Sequence, residues 1–278
     1  MAMTTRDIMD IALKMAGLDE IPSDSGIYVE SNNVRRVLAG VDIDSGDLML
    51  AKELGFDLVF AHHPAGDNAR INGMQVMQRQ IACMTRVGIP INKAQKALAE
   101  RQRGLLNAAH GNNWSKVTGA ARTLNIPFMN VHMPCDIISE NHVQAIIDAA
   151  IGAESTVQEI CDALMTIPEY QNAITSPLIR VGAPSDYCGK PYVVMAGGTN
   201  GGAQVAKAYF DAGIGTLISM HVPEDVVKAV REQNIGNWIV AGHMASDSIG
   251  INLLLAELEK EGVEVVRLNG IMDPIFTG

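Results

Sequence analysis

Aromatic residues make up only 4% of this 278-residue chain, too few for the stacking surfaces by which proteins hold sugar rings or nucleic-acid bases. Positive charge is short as well: 21 Lys and Arg stand against 31 Asp and Glu, a formal net charge of −10. A basic footprint for a nucleic-acid backbone is therefore missing. No apolar run approaches the roughly 20 residues that a membrane span needs. The start, Met1 to Arg6, carries one positive charge and no long apolar stretch, so no signal peptide and no membrane partner are expected. Cys83, Cys135, Cys161 and Cys188 form no C-x-x-C pair. Thiols scattered in this way are expected to stay reduced, in the cytoplasm.

What the chain does have is aliphatic residues and glycine: 47% is hydrophobic, with 26 Gly, which suits tight turns between strands and helices. Thr4 and Asp7 form a capping-box-like start to a helix whose apolar face is Ile8, Ile11, Ala12 and Met15, ending at Gly17. Val34–Ile43 reads as a strand, Ser45-Gly46-Asp47 as a turn, Leu48–Leu54 as a short helix and Phe56–Ala61 as a strand. That order predicts a parallel pair, buried on both faces. Residues 73–127 read as helical, with Ser115 capping the last helix. A strand Phe128–Val131 follows, then helices over 141–152 and 155–166. Beyond them come strands near Pro177–Val181 and Tyr192–Met195, a Gly-rich turn at 197–202 and a helix over Ala203–Asp211. Strands Thr216–Ser219 and Trp238–Ala241, a helix bearing Ile251, Leu254, Leu255 and Leu258, and a strand Val263–Leu268 complete the chain. Aligning Gly55 with Gly213 sets His63 against His221 across matched apolar strands, a weak internal repeat that points to two related α/β lobes facing one another. The expected divisions are an N-terminal lobe over 1–138, including the helical segment 73–127, a helical connector over 139–176 and a C-terminal lobe over 177–278.

Three groups of His and Asp stand where strands end. His62 and His63 close the apolar run Leu58–Ala61; His132 and Asp136 follow Phe128–Val131; His243 and Asp247 follow Trp238–Ala241. Ligands collect at the carboxyl ends of parallel strands, and adjacent imidazoles there make poor core material. Neighbouring side chains on an extended strand point to opposite sides, so His62 and His63 are both ligands only if they serve different ions or the chain bends at Pro64. Asp247 has a plainer reading as a helix cap. Imidazole with carboxylate suits Zn²⁺, Mn²⁺, Fe²⁺ or Ni²⁺, and carboxylates can bridge paired ions. The Gly-rich turn matches no nucleotide fingerprint and reads as a tight strand–helix turn, with phosphate binding as the alternative.

Val37–Asp42 followed by Gly55–Pro64, then His132–Asp136, then Gly242-His243-Met244-Ala245-Ser246-Asp247 resemble, in order, motifs of the type-two GTP cyclohydrolase I-like family, the family of the Ngg-interacting factors. The resemblance implies two interlinked α/β lobes with a metal site at strand C-terminal ends between them, and a ring-like homohexamer. It implies two divalent ions held by His62, His63, Asp136, His243 and Asp247, with His132 nearby as an acid–base or substrate-orienting group. Asp247 stands where the family has Glu. Met220-His221 replaces its Gly-Glu, which gives His221 a new role in the pocket. The expected function is a metal-dependent hydrolase acting on a nucleotide or phosphorylated small molecule. The alternatives are a non-catalytic metal-binding or regulatory protein on the same scaffold, and a nucleotide sensor that uses the Gly-rich turn.

Overall fold

The structure, a computed structural model, describes residues 3–274. In chain order the first elements are α1 (Thr5–Ala16), β1 (Gly26–Val29), β2 (Arg36–Gly40), α2 (Ser45–Glu53), β3 (Leu58–Ala61) and α3 (Asp67–Ile71). After a 3-10 turn come α4 (Gln78–Arg86), α5 (Ile91–Ala109), α6 (Lys116–Leu124), β4 (Phe128–Asn130), α7 (Met133–Ala150), α8 (Val157–Leu164) and α9 (Pro168–Asn172). The chain then continues through β5 (Leu178–Val181), β6 (Pro191–Val193), α10 (Ala203–Asp211), β7 (Thr216–Ser219), α11 (Glu224–Gln233), β8 (Asn237–Val240), α12 (His243–Lys260) and β9 (Glu264–Leu268). The expected α/β class is present. Among the described residues no helix is long and apolar enough to cross a membrane.

Contacts divide the chain into two compact units. The first comprises residues up to Val76, Leu106–Ile138 and Asp247–Asp273; the second comprises Met77–Leu105 and Ser139–Ser246. The first unit's sheet has the order β1-β4-β3-β2-β9. Strands β2, β3, β4 and β9 run parallel and β1 closes one edge antiparallel. The second unit's sheet has the order β5-β8-β7-β6, again parallel apart from its first strand. Without β9, one topology occurs twice, which is the internal repeat expected from the sequence. Every residue of β3 is buried, and its Val59 and Ala61 pack with Leu38, Leu48, Phe56 and Phe128 in the core of the first unit. Burial on both faces is why β2 and β3 read as unbroken apolar runs.

Local chemistry places the helix starts. At α1 the Thr4 side chain accepts from Asp7 N while Asp7 accepts from Thr4 N, the capping box expected, and Gly17 ends the helix in the left-handed region. The starts of α2 and α7 differ from expectation, and α6 starts where expected but without its cap bond. Asp44 caps α2 through the backbone N–H groups of Gly46 and Asp47, so Ser45-Gly46-Asp47 is the helix's first turn and not a separate one. Ser115 occupies the cap position of α6 without a side-chain cap bond. The expected helix over 141–152 begins at Met133 as α7. Pro134 lies in its first turn, where a missing N–H costs nothing.

Candidate metal centre

Three adjacent parallel strands of the first unit end together, and their next residues carry the polar groups. Asp42 follows β2, His62 and His63 follow β3, and His132 follows β4. Strand geometry stops at Ala61 and the chain bends over His62 and His63. Their ring centroids consequently lie 5.2 Å apart. The ring of His132 is 4.9 Å from that of His62 and 5.6 Å from that of His63.

Each imidazole is tied back through Nδ1. His62 Nδ1 lies 3.0 Å from the Val131 carbonyl oxygen, His63 Nδ1 2.9 Å from Asp42 Oδ1, and His132 Nδ1 2.7 Å from Asp24 Oδ2. These partners only accept, so Nδ1 carries a proton in each ring and Nε2 is the nitrogen left to face the site. The Nε2 atoms face two carboxylates. His62 Nε2 is 3.2 Å from Asp136 Oδ1 and 3.7 Å from Asp247 Oδ1. His63 Nε2 is 3.4 Å from Asp247 Oδ2, and His132 Nε2 is 3.7 Å from Asp136 Oδ2.

This donor set fits a metal ion. His62, Asp136 and Asp247 are 0%, 3% and 1% exposed. His62 Nε2 and Asp136 Oδ1 are buried without hydrogen-bond partners although they face one another. Buried polar atoms are almost always paired by hydrogen bonds; these two lie 3.2 Å apart without one. Potential ligand atoms within 4.8 Å of one another occur in the groups His62–His63–His132 and His62–Asp136–Asp247. Burial alone would push the His62 pKa down, but the charge of Asp247 and the contacts with Asp136 and Asp247 hold it well above the usual imidazole value. A field that retains a proton so firmly also favours a cation.

Helix geometry sets the spacing of the later pairs. His132 sits immediately before α7, and Asp136 N donates to His132 O at 3.1 Å. His243 is the first residue of α12, with Asp247 one turn on; residues four apart share a helix face. Asp247 is therefore inside the helix and is not its cap. His221 follows β7 in the second unit, its ring 4.9 Å from that of His243. The Gly-rich turn is gripped from α4: Gln80 Nε2 donates to Gly197 O at 2.9 Å and also to Thr199 O. A Cβ on Gly201, at φ +79°, would lie 2.6 Å from Gln80 Oε1.

A solved structure with this fold exists. The crystal structure of a NIF3 superfamily protein from Sphaerobacter thermophilus matches at TM-score 0.93 with 41% identity, covering 97% of this chain and all of that one. The chain belongs to the NIF3 superfamily. Reduced HcgD from Methanocaldococcus jannaschii shares the fold at TM-score 0.62 and 14% identity, over 96% of this chain and 98% of that one. A Bacillus cereus protein related to NIF3 does so at TM-score 0.54 and 12% identity, over the whole of both chains. No family model and no curated protein matches the chain.

Two polar residues of this NIF3-superfamily site escaped the sequence reading. Asp24 lies in an irregular loop with no period to mark it, and Asp42 was visible only as part of a longer motif. A third feature is Gly250 on α12, where a Cβ would lie 2.0 Å from the Cys135 carbonyl oxygen. The backbones of α7 and α12 touch there, one residue before Asp136 and three after Asp247. Gly250→Ala is expected to force the helices apart, costing about 1–3 kcal/mol or more and loosening the carboxylate pair. Urea unfolding and Zn²⁺ competition would both register it; an unchanged Zn²⁺ affinity would show that helix spacing does not set the site.

Proposed function

We propose that this chain is a metal-dependent hydrolase of the type-two GTP cyclohydrolase I-like kind. The observation that carries the reading is the pair of buried atoms His62 Nε2 and Asp136 Oδ1, 3.2 Å apart and without a hydrogen bond. The ligand set taken from the sequence motifs is His62, His63, Asp136, His243 and Asp247, holding two divalent ions. When bound, such ions supply Lewis acidity and an acidified water. Val131 and Asp42 hold the tautomers of His62 and His63 with Nε2 forward, as partners of metal-binding imidazoles do. Burial of Asp136 and Asp247 keeps bulk water from competing with their negative charge.

The substrate proposed is a nucleotide or a phosphorylated small molecule, its anionic groups drawn to the ions in an otherwise acidic protein. GTP is the first to try, with water added to the imidazole ring and formate released. His221, whose ring lies 4.9 Å from that of His243, is proposed to contact the substrate. We also propose a homohexamer in the cytoplasm; four buried free thiols agree with a reducing compartment, and light scattering would report the assembly.

Elemental analysis of the untagged protein is expected to find about two divalent ions per chain and fewer in His243→Ala. GTP and phosphoesters would then be assayed with each metal. No metal after incubation with Zn²⁺, Mn²⁺ or Fe²⁺ would sink the reading. Bound metal without turnover would leave a metal-binding regulatory protein.

A further inference from the structure

We propose that Asp24 is the positioning residue of the metal centre, and that the imidazole it holds, His132, is itself a ligand. The inference rests on the metal site proposed above, but not on the reaction. It moves His132 from acid–base or orienting group to donor.

Asp24 is 0% exposed and is held on every side. Its carbonyl oxygen accepts from Asn130 Nδ2 at 2.8 Å, and its Oδ1 accepts from Ser25 Oγ at 3.3 Å. Ser25 Oγ in turn accepts from the backbone N–H of His132 at 2.9 Å. Oδ2 accepts a hydrogen bond from His132 Nδ1 at 2.7 Å. One loop thus fixes both the main chain and the ring of His132. A carboxylate only accepts, so this bond puts a proton on Nδ1 and leaves Nε2 as the nitrogen facing Asp136 Oδ2 and the other two imidazoles.

Charge makes the same point. A carboxylate at zero exposure is costly unless positive charge compensates it. Among the described residues Asp24 pairs with no lysine or arginine; its ionic partner is His132. A cation on Nε2 supplies that charge through the ring, and a carboxylate behind a metal-bound imidazole strengthens it as a donor. Asp24 touches neither ion nor substrate and acts through His132.

Zn²⁺ affinity, measured by competition with a chromophoric chelator, tests this in the full chain. Asp24→Leu removes both acceptor and charge and is expected to weaken binding about 10–100-fold. Asp24→Asn keeps an acceptor and should lose less. His132→Ala should lose at least as much as Asp24→Leu, and both should alter the visible absorption of the Co²⁺-loaded protein. His110→Ala serves as a control expected to match wild type. Wild-type affinity and Co²⁺ spectrum in Asp24→Leu and His132→Ala would overturn the proposal. If Asp24→Leu does not fold, a crystal of the wild type soaked with Zn²⁺ decides: His132 Nε2 about 2.0–2.1 Å from an ion supports it, and a ring outside bonding distance overturns it. Weakened Zn²⁺ binding in these variants, with no substrate turned over by the wild type, would sink the hydrolase reading alone. A wild type that binds no Zn²⁺ sinks both.

Discussion

His62→Ala is expected to lose Zn²⁺ affinity by more than about 100-fold, beyond the range seen when only a ligand's supporting partner is removed. It should also unfold more easily with no metal present. Two separate losses add up here. The Nε2 donor disappears from a site where Asp136 and Asp247 cannot replace it with another neutral nitrogen. The second loss is electrostatic. In the metal-free protein His62 holds its proton well above the usual imidazole range, because the charge of Asp247 and the contacts with Asp136 and Asp247 outweigh burial. That cation faces two carboxylates that are 3% and 1% exposed. Alanine leaves both anions buried without it, and removing one partner from a buried ionic group costs about 3–5 kcal/mol. Val131 O also loses its donor. Urea unfolding with EDTA present measures the second effect alone. An unchanged midpoint there, together with unchanged Zn²⁺ stoichiometry, would reduce His62 to packing.

Arg79→Met in the second unit should be of comparable size, about 3–5 kcal/mol, with no metal involved. Arg79 Nη2 donates to Glu140 Oε1 at 2.6 Å, and the two side chains are only 16% and 10% exposed. The other oxygen of Glu140 accepts from the backbone N–H groups of Met195 and Ala196 at 2.9 and 3.0 Å. Glu140 of α7 therefore ties the exit of β6 to α4, just before the Gly-rich turn that Gln80 grips. Methionine fills most of the arginine's volume but leaves the carboxylate buried without its cation. Glu140→Gln should cost less, since an amide oxygen still accepts from the same backbone. The double variant should be milder than the sum of the two, the mark of a coupled pair. Single costs below about 0.5 kcal/mol, as on a free surface, would show the pair contributes nothing.

The elements that chain order made legible are those with a local cause. The capping box at Thr4 and Asp7, the glycine stop at Gly17 and the helix Ala203–Asp211 depend on residues within a turn of one another. His62, His63, His132, His243 and Asp247 stood out because each follows an apolar strand or begins a helix after one. The start of α7 was misplaced, and Asp247 read as a helix cap, because the first turns of α7 and α12 hold polar residues and the apolar period begins only later. Asp24 and Gly250 gave no signal, since nothing in a loop aspartate or a helical glycine says what will lie against it.

By itself the sequence determined the class of the fold, its repeated strand–helix–strand pattern and the residue types that collect at strand ends, because these follow from short-range periodicity and turn chemistry. The tertiary structure decided what no window along the chain contains. It paired β9 with β2, setting Glu264 beside Arg36, and so carried the end of the chain back to the first sheet. It turned three Nε2 atoms toward two buried carboxylates and set Asp24 behind His132. Apart from His132 with Asp136, those contacts join residues far apart in the chain, fixed by packing and by the need to compensate buried charge.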